Sequence, residues 1–127
     1  MAQAKFTEDI NVAIGQVTTA NSNLDGSGAI VDLFTAGVKG SLIDYIRVKA
    51  MGTTTAGKIN IFRKNGSSYT FIESVLVTAI TPSASVKSFE NEIIYNTKPF
   101  ILKPGEILAF TTLNSETFNI IVSGGDF

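Results

Sequence analysis

Clusters of Gly, Pro, Asn, Asp and Ser punctuate this chain at short intervals, and no segment between them carries a helical stripe. The clusters are NSNLDGSG (residues 21–28), TAGVKG (35–40), MGTTTAG (51–57), KNGSS (64–68), TPSAS (81–85), KPGE (103–106) and NSE (114–116). Between them run AIVDLFT, SLIDYIRVKA, KINIFRK, YTFIESVLVTAI, FENEIIYNT, PFIL, ILAFTTL and TFNIIVS, and DINVAIGQVTT ahead of them supplies a ninth run. Several alternate with period two, as half-buried strands do. In Ile46-Arg47-Val48-Lys49-Ala50 the apolar side chains face one way and the cations the other. Ile59 and Ile61 oppose Lys58 and Asn60, whereas both halves of Ile107–Thr112 are apolar enough to be covered on both faces. Asn65-Gly66, between Phe62 and Tyr69, is the strongest hairpin signal.

Eight to nine short strands at this spacing predict an all-β, antiparallel sandwich, jelly-roll-like first and immunoglobulin-like second. The abundance of Thr, Ile, Val, Phe, Gly and Ser agrees. A chain of 127 residues, 44% hydrophobic, forms one domain with its own core. We expect residues 16–127 to be that sandwich and residues 1–15 to be an arm or first strand, with room for one short helical turn.

The residues absent from the chain narrow its chemistry. With no Cys and no His, disulfides, thiol nucleophiles and the usual zinc sets are ruled out, and acid-base work would fall to Asp, Glu, Lys or Tyr. A net charge of −1 without charge blocks gives no footprint for nucleic acid or a membrane surface. No run approaches the ~20 apolar residues of a membrane span, and MAQAKFTEDI lacks a secretory core, so a soluble protein made in the cytoplasm is expected.

GTTTAGKI (residues 52–59) is one residue short of a phosphate loop, with Ile59 where the magnesium-binding hydroxyl belongs. A phosphate loop must open a helix, yet INIFRKNG continues as an alternating strand ending in a turn, so we read a connector. DGSG (25–28), near Asn21 and Asn23, has the flavour of a calcium loop, but no Glu follows at ligand spacing, and an Asx-type turn accounts for it. Glu90 and Glu92 share one strand face and could in principle form a glycosidase couple. Such a couple needs an aromatic cleft, and this chain has no Trp and three Tyr. Arg47, Lys49, Lys58, Arg63 and Lys64 would form one basic patch only if their strands paired. No cofactor and no metal are expected.

Several phrases occur together: TTANSNLDGSGAIVDLFTAGVKGSLIDYIRVKAMGTTTAG, VTAITPSASV and the ending ETFNIIVSGGDF. They resemble small virion structural proteins of tailed bacteriophages and prophages, described as capsid decoration or auxiliary head proteins, including those of crAss-like phages. The resemblance runs from about Thr18 to the C-terminus; its most telling elements are Asp25-Gly26, FTAG (34–37), IDYIRVK (43–49), GTTTAG and the closing GGD. It implies a non-enzymatic β-sandwich bound to the major capsid protein or other virion proteins, without nucleic acid or membrane. A homo-oligomer is implied as well, a trimer being one form. On that reading the contacts with partners are expected at Thr53, Thr54 and Thr55, at Phe6 in the N-terminal arm, and at Phe127 beyond a flexible glycine pair. Two rivals are a receptor- or carbohydrate-binding module, which would need Tyr45, Tyr69 and Tyr95 clustered outward, and a depolymerase using Glu90 and Glu92.

Overall fold

The computed structural model describes residues 7–127, so Phe6 lies outside the described residues. Nine strands follow in order: β1 (Asp9–Val17), β2 (Val31–Thr35), β3 (Ser41–Ala50), β4 (Gly57–Asn65), β5 (Ser68–Val77), β6 (Glu90–Ile94), β7 (Phe100–Leu102), β8 (Ile107–Thr112) and β9 (Phe118–Asp126). There is no helix among the described residues. The strands form an antiparallel five-stranded sheet, β1-β9-β3-β6 with β7 also on β3, and an antiparallel four-stranded sheet, β2-β8-β4-β5. Because β6 pairs with residues 45–49 of β3 and β7 with residues 41–43, the two lie end to end along one neighbour. Nine strands thus fill eight positions. Only β4–β5 is a hairpin, and apart from the β6–β7 step along β3 the chain otherwise passes from one sheet to the other, which is the jelly-roll-like arrangement.

Alternation explains the core between the sheets. Ile46, Val48 and Ala50 of β3, Ile59 and Ile61 of β4, and Val122 and Ile120 of β9 all turn inward and are buried. Phe34, Phe110, Phe118 and Leu102 fill the space between them. Strand β8 is covered on both faces, as its sequence predicts: Leu108, Ala109, Phe110, Thr111 and Thr112 are all buried. The β4–β5 hairpin closes through Gly66 and Ser67, between the paired Asn65 and Ser68. Gly66 has φ +64 while Ser67 keeps a negative φ, the combination of a type II′ turn.

Both chain ends are held by strand pairing. Strand β1 pairs with β9 from Asp9 onward, so residues 9–15 form a first strand, one of the two forms expected for them, and hold no helical turn. The closing SGGDF is no flexible tail: Gly124 and Gly125 lie inside β9, flanked by β1 and β3. A Cβ on Gly124 would stand 2.3 Å from the Leu42 carbonyl oxygen, so glycine here serves close strand approach rather than mobility. Phe127 is half-buried, and its amide donates to the Gly40 carbonyl at 3.2 Å.

Candidate functional site

The GTTTAG segment connects β3 to β4, and Lys58 is the first exposed residue of β4, so this segment is a strand connector. Its three threonines do not form one surface. Thr53 is exposed, but Thr54 is buried and pinned. The Thr54 hydroxyl donates to the Thr78 carbonyl at 2.8 Å and accepts from the Ile80 amide at 3.2 Å, while its own amide donates to the Ile80 carbonyl at 2.9 Å. Thr54 is therefore unavailable as a surface contact. Thr55 is exposed, yet its amide and hydroxyl both donate to Glu116 Oε2 at 2.9 Å.

The DGSG loop is held by amide donors. The side-chain nitrogen of buried Asn21 donates to the Ser27 and Ala29 carbonyls at 2.8 Å each, and its oxygen accepts from the Asn23 amide at 2.9 Å. Asp25 accepts from the Ser27 amide at 3.0 Å and the Ser27 hydroxyl at 2.5 Å, an Asx turn whose hydroxyl bond lowers the Asp25 pKa. Asn21 Oδ1 and Asp25 Oδ1 are thus engaged within the loop itself. Among the described residues no group of three or more Asp or Glu side chains is placed to hold a metal.

The five cations split between the two sheets. Arg47 and Lys49 stand on β3, Lys58, Arg63 and Lys64 on β4, and β3 and β4 do not pair, so the single basic patch does not form. Most instead meet an acid. Lys49 lies 3.4 Å from Glu90, and Lys64 2.8 Å from Asp32. Arg63 grips Glu106 with two nitrogens and also donates to the Ile101 carbonyl at 3.1 Å. Glu106 is 6% exposed. Burial pushes its pKa up, but the Arg63 guanidinium and the Lys103 amide, at 2.7 Å, outweigh that and hold it below the ordinary range. Glu90, beside Lys49 and Lys87, is likewise lowered, chiefly by the charge of Lys49. Across the β3–β6 ladder Glu90 stands opposite Lys49 and Glu92 opposite Arg47, with both glutamates exposed.

The tyrosines do not form a platform. Tyr45 is on the five-stranded sheet and Tyr69 on the four-stranded one, where its hydroxyl donates to Asp32 at 2.8 Å. Tyr95 packs edge-on against Phe100 at 4.9 Å, and burial raises its pKa.

The surface that stands out is the outer face of the five-stranded sheet, where register sets side chains in rungs. Gln16, Asn119, Lys49 and Glu90 make one rung; Ile14, Ile121, Arg47 and Glu92 the next. Val12, Ser123, Tyr45 and Ile94 follow, then Ile10, Gly125, Leu42 and Ile101. One end of the grid is polar and the other apolar. On the apolar side Ile10 is 88% exposed, Ile14 72%, Ile94 59%, Val12 48% and Ile101 44%. These side chains stand on the two flanks of the sheet, Ile10, Val12 and Ile14 on β1 and Ile94 and Ile101 on β6 and β7, with Ser123, Tyr45, Gly125 and Leu42 between them. At its margin Asp126 ties β1, β3 and the Gly37 turn together. It accepts from the Ser41 hydroxyl at 2.5 Å and the Asn11 amide nitrogen at 2.9 Å, and those bonds depress its pKa.

Sequence reading missed this face, although the signal was present in DINVAIGQV. Period two separates a strand's faces without saying which one is buried, and here the larger apolar side chains point out. No protein-family model matches the chain, and no curated protein matches it.

Proposed function

We propose that this chain is a non-enzymatic structural protein of a phage virion, an auxiliary or decoration subunit that docks on the major capsid protein or another head protein. It would be made in the host cytoplasm and reside in the particle, as a homo-oligomer without cofactor. The observation that carries the reading is the set of exposed apolar side chains on the outer grid, beside the Lys49–Glu90 ion pair, which no loop among the described residues covers. Docking at many symmetric positions sums weak contacts, so a modest apolar face suffices for stable attachment. The sequence resemblance to virion proteins points the same way.

The test is to mix purified protein with heads that lack it and to measure saturable binding. Ile94→Asp and Ile101→Asp, which lie away from β1, should weaken that binding at least about tenfold by placing charge in an apolar contact. Absence of the protein from purified virions, or binding unchanged in both variants, would overturn the reading.

A further inference from the structure

We infer that β1 is a self-pairing edge: two copies of this chain join through antiparallel β1–β1 pairing about a two-fold axis at Val12. Their five-stranded sheets then run on as one. Strand β1 pairs with β9 on one side, and no strand among the described residues covers the other.

The edges of this sandwich differ in a way that singles out β1. Natural edges are blunted by shortness, bulges, charge or proline, because unpaired N–H and C=O groups invite another strand. Strand β2 has five residues and a register shift after Asp32. Strand β5 is interrupted by a shift at its Glu73–Phe71 step. Strand β6 has five residues, including Glu90 and Glu92, and β7 has three. Strand β1 has of these only one charge, Asp9 at its first position. It makes nine successive pairs with β9 without a shift, and it contains no Lys, Arg or Pro.

The strand is also complementary to itself in one register. With the axis at Val12, Ile10 faces Ile14 of the second copy, Val12 faces Val12, Asn11 faces Ala13 and Asp9 faces Gly15. Every outward apolar side chain meets an apolar one, and no like charges oppose. An axis at Asn11 would set Ile14 against Glu8, and one at Ala13 would set Ile10 against Gln16. The Val12 register pairs residues 9–15 of each copy, giving about 6–8 backbone hydrogen bonds, within the ~10 ± 5 of a standard interface. The contact is isologous, so each edge is consumed and growth stops at two copies. A dimer, rather than the trimer the resemblance allows, is the unit. This inference does not depend on the virion role.

The absence of cysteine makes the test direct. Wild-type protein should scatter light as a species of twice 13.5 kDa. Val12→Cys should oxidise to a single covalent dimer, since the axis brings the two sulfurs together. Leu76→Cys, 66% exposed on β5, should stay uncrosslinked under the same conditions. Val12→Lys sets two ammonium groups at the axis and should raise the dissociation constant at least about tenfold, while circular dichroism shows the fold intact. A monomer or trimer mass for the wild type overturns the inference. So does equal crosslinking at positions 12 and 76, or a dimer that Val12→Cys fails to trap.

Discussion

The two outer faces of this sandwich are built from similar strands but finished differently. On the four-stranded sheet the chain covers itself. Phe62 is fully buried there, under Tyr69 in an edge-on contact at 6.3 Å and Phe71 at 5.7 Å. The loop over residues 21–28 completes the cover: Gly26 lies so close to Tyr69 that an added Cβ would stand 2.6 Å from it, at a φ of +89 that itself requires glycine. Lys64 and the Tyr69 hydroxyl both bond Asp32, which fixes the rim. On the five-stranded sheet no loop among the described residues folds over, and isoleucines stand in the open. One face contributes to the stability of the single chain; the other is available for contacts between chains.

The sharpest way to break this comparison is to truncate equivalent apolar groups on each face. Phe62→Ala should cost about 3–5 kcal/mol of unfolding free energy, the range for a fully enclosed Phe, read by chemical denaturation. If Phe62→Ala cost no more than a surface change, the four-stranded sheet would not be self-covered. Gly124→Ala tests the other sheet in its interior, where a methyl group must push against the Leu42 backbone oxygen. A loss of about 1–3 kcal/mol, and no comparable loss for Gly52→Ala where space is open, is expected.

The cover itself depends on Asn21. Removing an amide that makes three backbone hydrogen bonds at a 7% exposed position should cost about 1–3 kcal/mol in Asn21→Ala. Hydrogen exchange should rise in the loop and along β5, and leave β1 and β9 unchanged. Faster exchange in both sheets would mean that the loop stabilises the whole sandwich and not one face.

Each sheet also carries a locked carboxylate, Glu106 at the β7–β8 turn and Asp126 at the end of β9. Both are depressed in the folded state, so on acidification the unfolded chain takes up protons first, near pH 4–4.5. Their stabilisation is complete above that range and is lost as the pH falls through the native values. Glu106→Gln and Asp126→Asn should each flatten the acid limb of the stability curve and leave its slope above pH 6 unaltered. An acid limb unchanged in both variants would show that other groups set the acid sensitivity.

Much of this arrangement is legible in residue order. All nine strands fall on the runs set apart by turn residues, several of them alternating, and SLIDYIRVKA coincides with β3 end to end. Turn residues delimit strands because their backbone preferences act locally. What is not legible depends on pairing at a distance. The basic residues on β3 and β4 look adjacent in sequence, but the chain changes sheet between them. SGGDF has the composition of a tail, yet its glycines are selected by the strands on either side. Buried Thr54 sits between two exposed threonines of the same type, and only the Thr78–Ile80 backbone distinguishes it.

The smallest expected effect is the one that separates the faces most cleanly. Ile14→Ser and Ile94→Ser remove apolar groups that are 72% and 59% exposed, so little area is returned to water when the monomer unfolds. Each should change unfolding free energy by no more than about 0.5 kcal/mol, measured at concentrations where the chain is monomeric. The same substitutions reduce whatever assembly buries those side chains, so thermal stability should lose its dependence on protein concentration in Ile14→Ser and keep it in Ile94→Ser. That asymmetry follows from position alone: Ile14 lies on the unpaired strand at the sheet's edge, and Ile94 on the opposite flank of the same face. A monomer destabilised by several kcal/mol in either variant would mean that the open face is part of the core after all.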